Sequence, residues 1–451
     1  MPVTYPLPLL DTAAQRDHES QLAASGTTLL VGSVVDMGGV ARAKAIPVAR
    51  ALSFHRTGIG ASPSWNAFCV DNAIALTDKI GVVGDMRLRA DLTAAKRVDE
   101  SITWAPCEMF DQHGNPLEGC SRGRLRELQA SAEAHDIDVL VGIELEFVLT
   151  PESGEMDPAA WQGYGLRALL DNEDFVIDLE RSLRAAGLDA EQIHAEYGVG
   201  QFEISFPPAD PLTAADNGVL ARLVLGRVAR RHGLRVSFSP LPAPAGAGNG
   251  AHLHMSFTRK GQPLLSGGPQ VHGLRPDGAA ALGGIVRGLP DLMAIFAGSV
   301  LSSYRLQPGL WSGAHACWGL ENREAAVRLC AATPANPHGA NIELKCVDTS
   351  ANPYLAVAGM LGLALEGIQT TAELPVEVPD DPALLPAGTV ATLSDSQPEK
   401  LDRFEHSKLA RAILGDSIVE ATVAVRRHET DALGDLDLHE LTDRLRFSWS
   451  F

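Results

Sequence analysis

The chain is poor in several features that would place it in a common functional class. Its six cysteines form no CxxC pair or regular framework, which argues against a disulfide scaffold and favours reduced thiols. Acidic residues exceed basic ones, and the resulting formal net charge of −19 makes a general nucleic-acid-binding role unexpected. No GxxxxGK[ST] phosphate loop occurs, and no GxGxxG follows a strand.

Long hydrophobic runs are also missing. No uninterrupted apolar stretch approaches the roughly 20 residues that a membrane helix needs, and the N-terminus has no basic start followed by an apolar core. A hydrophobic content of 45% with 21% charged residues suits a globular protein with a sizeable core. We therefore expect a cytoplasmic protein with neither a membrane nor a nucleic acid as partner.

Turn signals and apolar periodicity divide the 451 residues into four segments. Residues 1–26 are predicted to be an N-terminal extension with a helix, and residues 27–106 a small domain of mixed strands and helices. In that domain, two short apolar runs flank Asp36-Met-Gly-Gly39 and predict a hairpin. Residues 107–120 predict a linker, and residues 121–451 a larger domain in which strands alternate with helices.

The larger domain is predicted in more detail from its periodicity. Helices are expected from Ser121 onwards and near 172–186, 212–232, 276–296, 353–371, 399–413 and 416–428, strands at 139–149, 200–206, 234–239, 251–257 and 341–347, and a Pro-rich surface loop at 374–399.

Four of the predicted strands carry polar side chains on one face only. In VGIELEFVL, apolar residues alternate with Glu144 and Glu146, so both carboxylates fall on the face opposite the apolar one. The same alternation recurs in GQFEISF, AHLHMSF and NIELKCV. Their polar positions are Gln201, Glu203, Ser205, His252, His254, Ser256, Asn341, Glu343 and Lys345.

This face differs from an ordinary solvated surface because it is rich in Glu and His. If the strands share one antiparallel sheet, the carboxylates and imidazoles converge, and clustered carboxylates resist joint ionisation unless a cation is present. Mostly glutamate ligands with little histidine favour Mg²⁺ or Mn²⁺ over structural zinc. The alternative is that each strand simply presents its polar face to water.

Two further stretches contribute candidates for binding anions. PAPAGAGNGAHLH places three glycines just before the histidine strand, and glycines let a backbone approach a ligand closely. SYRLQPGLWSGAHACWGLENREAAVRL carries Arg305, Arg323 and Arg328, and guanidinium groups bind carboxylates and phosphates bidentately. With metals, these features favour phosphoryl chemistry. Surface arginines paired with the many acidic residues are the alternative.

Taken together, the segments resemble the glutamine synthetase superfamily, in its type I-like form. GIELEF resembles the family's GxExEF strand, EYGVGQFEI its pair of spaced glutamates, and GNGAHLHMSF its Asn-Gly-x-x-His-x-His signature. NREAAVR resembles its Asn-Arg-x4-Arg stretch, and IELKCVDTSANPY its glutamate strand before Asn-Pro-Tyr. The motifs follow one another in the family's order from about residue 121 to 372.

The resemblance implies an α+β fold, with a small N-terminal β-grasp domain and a C-terminal catalytic domain whose curved antiparallel sheet is flanked by helices. It implies a glutamate–amine ligase, in which ATP phosphorylates the γ-carboxylate of L-glutamate and an amine displaces phosphate to give a γ-glutamyl amide. Two or more Mg²⁺ or Mn²⁺ ions per site are implied. So is a homo-oligomer, a dodecamer of two hexameric rings with active sites between subunits.

The resemblance also assigns roles to individual residues. The ligands of the metal nearer glutamate match Glu146, Glu196 and Glu203, and those of the metal bridging the ATP phosphates match Glu144, His252 and Glu343. Substrate-binding positions match Gly248, Asn249, Arg305, Arg323 and Trp311, and nucleotide positions match Glu191, His254, Ser256 and Arg328. Catalytic positions match Arg323, Arg328 and Lys345, the last standing where the family commonly has Arg.

Two departures from the family concern the amine. The family's flap reads Pro-Gly-Tyr-Glu-Ala-Pro, but PGLWSGA places Trp311 at the glutamate, and TGIGASPSW has no acid where the family has Asp-Gly-Ser-Ser. A pocket without both anions holds ammonium poorly, whereas an indole offers apolar contact and a cation–π face to an alkylammonium. A substituted amine (ethanolamine, another monoamine or a polyamine) is therefore predicted. The alternative is that Trp311 only packs the loop and an unaligned acid such as Asp71 serves as base.

Two other functions stay open at this point. One is a glutamine synthetase that uses ammonia. The other is a non-catalytic relative that senses glutamate or has a structural role. The intact carboxylate positions argue against this second alternative, because buried unpaired carboxylates are costly to keep without use. The last tyrosine is Tyr354, so the loop at 374–399 holds no acceptor for the adenylylation that regulates one branch of the family.

Overall fold

The computed structural model describes residues 7, 17, 18, 22, 24–152, 156–386 and 388–451, so the predicted extension at 1–26 lies almost entirely outside the described residues. The strands of the described part are β1 Leu29–Val35, β2 Ala41–Pro47, β3 Ile59–Ala61, β4 Met86–Ala90, β5 Lys96–Arg97, β6 Ile102–Phe110, β7 Ile137–Pro151, β8 Gln192–Ala195, β9 Gln201–Ser205, β10 Leu234–Ser237, β11 Ala251–Arg259, β12 Gln262–Pro263, β13 His315–Leu320, β14 Ala325–Cys330 and β15 Asn341–Leu344.

The α-helices of the same part of the chain are α1 Ala51–Arg56, α2 Ser121–Ala134, α3 Leu166–Leu170, α4 Glu173–Ala185, α5 Pro211–Arg231, α6 Pro276–Gly288, α7 Met293–Phe296, α8 Ser302–Arg305, α9 Pro353–Thr370, α10 Gln397–His406, α11 Lys408–Leu414, α12 Asp416–Leu433 and α13 Leu438–Leu445.

The first six strands form a small N-terminal β domain. Their order is β2-β1-β6-β4-β3, with β5 on β6, and β1 runs parallel to β6 while the other pairs are antiparallel. The predicted hairpin is confirmed: Asp36 Oδ1 accepts a hydrogen bond from Val40 N at 2.9 Å and closes the turn between β1 and β2. Gly39 has φ 84°, and any side chain there would collide with the backbone of Ser350.

The predicted linker at 107–120 begins too early. Cys107 to Phe110 continue β6 and pair with β4, and Cys107 and Met109 bury their side chains in the core of the N-terminal domain. Pro106 suggested a turn, but its missing N–H is tolerated in β6, where its carbonyl accepts from Asp91 N at 2.8 Å.

The second sheet has nine strands and carries the polar faces predicted from the sequence. Its order is β13-β14-β15-β11-β7-β9-β8, with β10 on β7 and β12 on β11. All its pairs are antiparallel except β13 with β14. The apolar residues of β7, including Val141 and Leu145, lie in the core shared with α5 and α9. This curled sheet with flanking helices confirms the predicted α+β fold class.

Two predicted helices are interrupted. The stretch at 276–296 contains Pro290, and α6 and α7 are separated there by a short 3₁₀ turn, Leu289–Leu292. By length and composition Pro276–Phe296 passes as a membrane span, but 83% of its most apolar window is buried inside the protein, as in a core helix. The stretch at 399–413 is two helices, because Ser407 caps α11 through a hydrogen bond from Ala410 N at 3.0 Å.

A buried arginine at the start of α2 joins the two domains. Arg122 donates from Nη1 to Glu108 at 2.7 Å and from Nη2 to Asp91 at 3.0 Å, both in the N-terminal domain. It also donates from Nε to Asp216 of α5 at 2.9 Å, and Asp216 accepts from the Tyr354 hydroxyl at 2.8 Å. Because every member of this network is buried and paired, the network fixes how the domains meet.

Candidate active site

Strand register places the predicted metal ligands directly opposite one another. Glu144 on β7 pairs with His252 on β11, and Glu146 pairs with Glu203 on β9. Because alternate residues of a strand share a face, both pairs lie on the same side of the sheet. The structure therefore brings together carboxylates that are far apart in the sequence.

His252 lies at the centre of the first group. Its Nδ1 is 3.3 Å from Glu144 Oε2 and 3.7 Å from Glu343 Oε1, and its Nε2 is 3.7 Å from Glu146 Oε1. Burial alone would raise the pKa of the Glu144 carboxyl, but hydrogen bonds from His252 and His254 outweigh burial and hold that pKa well below its usual value. The residues predicted to share one metal are thus in contact.

A second group forms where β8 and β9 meet. His194 Nε2 is 3.1 Å from Glu203 Oε1, and its Nδ1 is 3.8 Å from Glu196 Oε1. The hydrogen bond to Glu203 raises the pKa of His194 to about 9. Burial, and then the negative charges of Glu146 and Glu203, raise the pKa of Glu196. The carboxylates of Glu146, Glu196 and Glu203 are thus close enough to affect one another's ionisation.

The donor set fits hard divalent cations. Three sets of ligand atoms in the described residues lie on this face with all atoms of a set within 4.8 Å of one another: Glu144, His254 and Glu343; Glu144, Glu203 and His252; and His194, Glu196 and Glu203. Carboxylate oxygens with few imidazoles are what Mg²⁺ and Mn²⁺ prefer. When bound, such cations screen the negative charges of a phosphoryl group and a carboxylate that must approach each other.

His194 and the supporting role of Gln201 were not predicted from the sequence. Gln201 Nε2 donates to Glu146 Oε2 at 3.0 Å and to Asn249 Oδ1 at 3.0 Å, and Gly250 N donates to the same Glu146 oxygen at 2.8 Å. A side chain at Gly250 would collide with His252, so glycine is required there. The available signal was the polar alternation of β9, in which Gln201 precedes Glu203.

Positive charge surrounds Glu343 from two strands. Arg328 Nη1 is 3.1 Å from Glu343 Oε2, and Lys345 Nζ is 3.3 Å from Glu343 Oε1. Burial would raise the pKa of Glu343, but the Lys345 charge and then His252 lower it to about 2. The buried Arg305 lies behind, with Nη2 3.3 Å from His252 Nε2. Three predicted residues, Arg328, Lys345 and His252, thus surround the Glu343 carboxylate.

A side chain at Gly248 would collide with Arg305, so glycine is required at this predicted substrate position as well. Asn249 is buried and donates from Nδ2 to Ser239 O at 2.9 Å. Its amide therefore holds the loop that precedes β11.

The predicted nucleotide residues are only partly assembled. His254 Nε2 is 3.2 Å from Glu144 Oε1, and its Nδ1 is 2.9 Å from Asn341 Oδ1. Burial would lower the pKa of His254, but hydrogen bonds to Cys330 and Glu144 raise it well above its usual value. Ser256 follows on the same face of β11.

The predicted residues Arg323 and Glu191 are both exposed, and Glu191 belongs to none of the three sets of ligand atoms. The unaligned acid considered as base, Asp71, lies 3.5 Å from His428 Nε2, outside the same sets.

Residues 307–314, which we call the flap, carry Trp311. This residue is 60% exposed and has a left-handed backbone with φ 55°. On the β8 side of the site, burial and then the negative charge of Glu196 raise the pKa of the Tyr164 hydroxyl, and the ring centroid of Tyr164 is 6.1 Å from that of His194. Tyr164 follows a glycine in an irregular segment, and that position gave no periodic signal.

A curled sheet that gathers carboxylates, imidazoles, arginines and a lysine on one face defines an enzyme that activates anionic substrates with metal ions. The family model described as glutamine synthetase, catalytic domain, matches residues 118–441, and the chain belongs to this family. It is accordingly a ligase that forms C–N bonds and, as in the family in general, uses ATP and divalent metals.

Similar proteins include a gamma-glutamylpolyamine synthetase and glutamine synthetases. The gamma-glutamylpolyamine synthetase GlnA3 of Streptomyces coelicolor is 37% identical over 431 residues, covering 92% of each chain. The glutamine synthetase of Clostridium saccharobutylicum is 31% identical and covers 72% of this chain and 75% of its own. A crystal structure of a novel glutamine synthase homologue has a TM-score of 0.85 at 28% identity, covering 94% of this chain and 98% of its own. The structure of GmaS with ADP has a TM-score of 0.83 at 27% identity, with the same coverage.

Proposed function

We propose that the protein joins the γ-carboxyl group of L-glutamate to a substituted amine at the expense of ATP, with a polyamine as the first expected acceptor. The products are a γ-glutamyl amide, ADP and phosphate. The observation that carries the choice of amine is Trp311, an exposed indole on the flap. The glutamine synthetase flap motif has a glutamate at this position, which binds ammonium. The 37% identity to a gamma-glutamylpolyamine synthetase supports the same choice.

The physical reason lies in how the two acceptors differ. Ammonium is small and strongly hydrated, so its capture depends on anions placed close to it. An alkylammonium carries apolar methylenes whose burial against an aromatic face is favourable, and its charge interacts with the ring quadrupole. A polyamine adds further cationic groups, for which a chain of net charge −19 provides a favourable long-range field.

The chain's own residues supply the rest of the chemistry. Arg305, Arg328 and Lys345 place positive charge beside the carboxylate cluster, where they would bind glutamate and the transferring phosphoryl group. Phosphorylation converts the γ-carboxylate into an acyl phosphate, so the attacking amine nitrogen expels phosphate rather than oxide. The amine loses a proton in this step.

We infer that Mg²⁺ or Mn²⁺ occupies the carboxylate cluster, with Glu146, Glu196 and Glu203 around one ion and Glu144, His252 and Glu343 around another. The dodecamer of two hexameric rings and the cytoplasmic location stay predictions. The second is supported by the six cysteines, all of which are unpaired.

The experiment that tests the proposal measures ADP release by the full-length protein with glutamate, ATP and Mg²⁺ or Mn²⁺. Ammonia, ethanolamine, other monoamines and polyamines serve as acceptors, and mass spectrometry identifies the product. A higher kcat/KM for a substituted amine than for ammonia is expected. If ammonia is the best acceptor, the protein is a glutamine synthetase, and if no amine is used while glutamate binds, it is a glutamate sensor.

A further inference from the structure

A buried carboxylate outside the metal cluster holds the flap. Glu324 is 7% exposed, and its oxygens accept hydrogen bonds from Trp311 N at 2.9 Å and from Gly309 N at 3.3 Å. Both donors belong to residues with a left-handed backbone, φ 55° at Trp311 and 81° at Gly309. The N–H groups on either side of Leu310 thus converge on one anion, in the manner of an anion-binding turn.

The backbone of Glu324 is in turn held by the side chain of Asn322. Asn322 Oδ1 accepts hydrogen bonds from Glu324 N at 3.0 Å and from Ala325 N at 3.3 Å. The Asn322 side chain also donates to Val378 O at 2.8 Å and to Asp380 O at 3.0 Å. These hydrogen bonds fix the backbone of Glu324 just before β14. The Glu324 carboxylate can therefore restrain the flap.

The far end of the flap rests on the strand of the candidate site. A Cβ at Gly313 would come within 2.8 Å of Lys345 Cβ and 3.1 Å of Ala326 Cα, so the backbone there is packed against both residues. Although the backbone is held at Gly309, Trp311 and Gly313, the side chains of Leu310 and Trp311 are each 60% exposed. A tryptophan with positive φ is strained and persists only where its surroundings hold it.

We propose that Glu324 is a positioning residue for amine selection. By accepting from the amides of Gly309 and Trp311, it fixes the indole as one wall of the amine pocket. This inference rests on the proposed function, because it requires the amine to enter beside the flap. Without the carboxylate, the strained turn relaxes and the indole is no longer presented. A long alkylammonium then loses a contact that ammonia never makes.

The kinetic test compares Glu324→Ala and Glu324→Gln with the full-length wild-type enzyme, using spermidine and ammonium chloride as acceptors. The expected result for Glu324→Ala is a rise of about tenfold in the KM for spermidine, the effect of losing hydrogen bonds to a charged acceptor. The KM values for glutamate and ATP stay within about twofold. Glu324→Gln is intermediate, because its amide oxygen still accepts one of the two bonds. An unchanged ratio of kcat/KM for spermidine to that for ammonia in both variants overturns the proposal.

A second readout follows the flap itself. Chymotrypsin cleaves after Leu310 and Trp311, and cleavage is expected to be faster in Glu324→Ala than in wild type or in Glu133→Ala, a control that removes an exposed glutamate on α2. If cleavage is faster but the ratio of kcat/KM values is unchanged, Glu324 holds the flap but does not select the amine, and the proposal is overturned. A wild-type enzyme that prefers ammonia refutes the proposed function instead. If Glu324→Ala does not fold, wild-type cleavage and selectivity in Glu324→Gln overturn the inference.

Discussion

Glu146 and Glu203 are direct partners across β7 and β9, although both are carboxylates and only 9% and 7% exposed. Each has partial compensation, since Glu146 accepts from Gln201 and the Gly250 amide, and Glu203 contacts His194. His194, whose pKa is raised to about 9, supplies a positive charge to Glu203, whereas neither Gln201 nor the Gly250 amide supplies one to Glu146. A carboxylate buried beside another without a full positive charge of its own is costly, so a divalent cation bound between the two would stabilise the folded protein.

The first prediction follows from that coupling. Mn²⁺ added to EDTA-treated protein is expected to raise the Tm by several degrees, because a ligand that binds only the folded state stabilises it. Glu203→Gln is expected to weaken this response of the Tm to Mn²⁺ because it removes a ligand, while in the metal-free protein the loss of the His194 ion pair offsets the relief of repulsion with Glu146. Thermal unfolding followed by circular dichroism measures both effects.

The matched control for the metal is Asp138→Asn. Asp138 is an exposed carboxylate on the same face of β7, six residues from Glu144, and belongs to none of the ligand sets. Its variant should respond to Mn²⁺ as wild type does. An equal response of Glu203→Gln and wild type would contradict the assignment of Glu203 as a ligand.

The second prediction concerns the flap. Trp311→Glu restores an anion at an exposed position and is expected to improve kcat/KM for ammonia while lowering it for a polyamine, each by about tenfold, the size of one charge–charge or cation–π contact. Trp311→Phe keeps an aromatic face and serves as the control, with amine preference retained. Initial rates with ammonia and with the other amines give the kcat/KM values for this comparison. No gain with ammonia would count against Trp311 as the selectivity element.

The sequence predicted the two ligand pairs of β7 because period-two alternation survives folding: a side chain's face is set by its position along the strand. It could not place His194 or Glu324. His194 lies on the short strand β8, where four residues give too little periodicity. Glu324 acts through the flap backbone, and a hydrogen bond to an amide leaves no trace in residue type. The role of the exposed Arg323 stays a prediction, because it rests on the motif match alone.

The third prediction tests the joint between the domains. Arg122→Met leaves the buried Asp216 without its cation and leaves Asp91 and Glu108 with Arg126 alone, and its cost is expected to be about 3–5 kcal/mol of unfolding free energy. Urea denaturation followed by fluorescence measures it. Arg167→Met is the control, because Arg167 is exposed on α3 and pairs with Asp171 at the surface. Equal effects of the two substitutions would show that the network does not fix the domains.

The fourth prediction comes from Lys400, a lysine buried in the core of the catalytic domain. Its Nζ lies 3.2 Å from Ala297 O and 3.2 Å from Ser303 Oγ, and burial lowers its pKa to about 8, an effect that the charge of Asp348 only partly offsets. An unfolded lysine titrates near 10.5. Between these values the unfolded state binds more protons, so the unfolding free energy rises with pH through this window.

The fourth experiment isolates that effect by difference. Below about pH 8 the folded and unfolded states both carry the charge, and the full cost of burying an ammonium is present. The unfolding free energy of wild type minus that of Lys400→Met should therefore increase by about 2 kcal/mol between roughly pH 7 and 9.5. Urea denaturation at several pH values measures it, and titration of the other groups cancels in the difference. If the difference is independent of pH, the side chain keeps an ordinary pKa, and the hydrogen bonds to Ala297 and Ser303 fully replace its hydration.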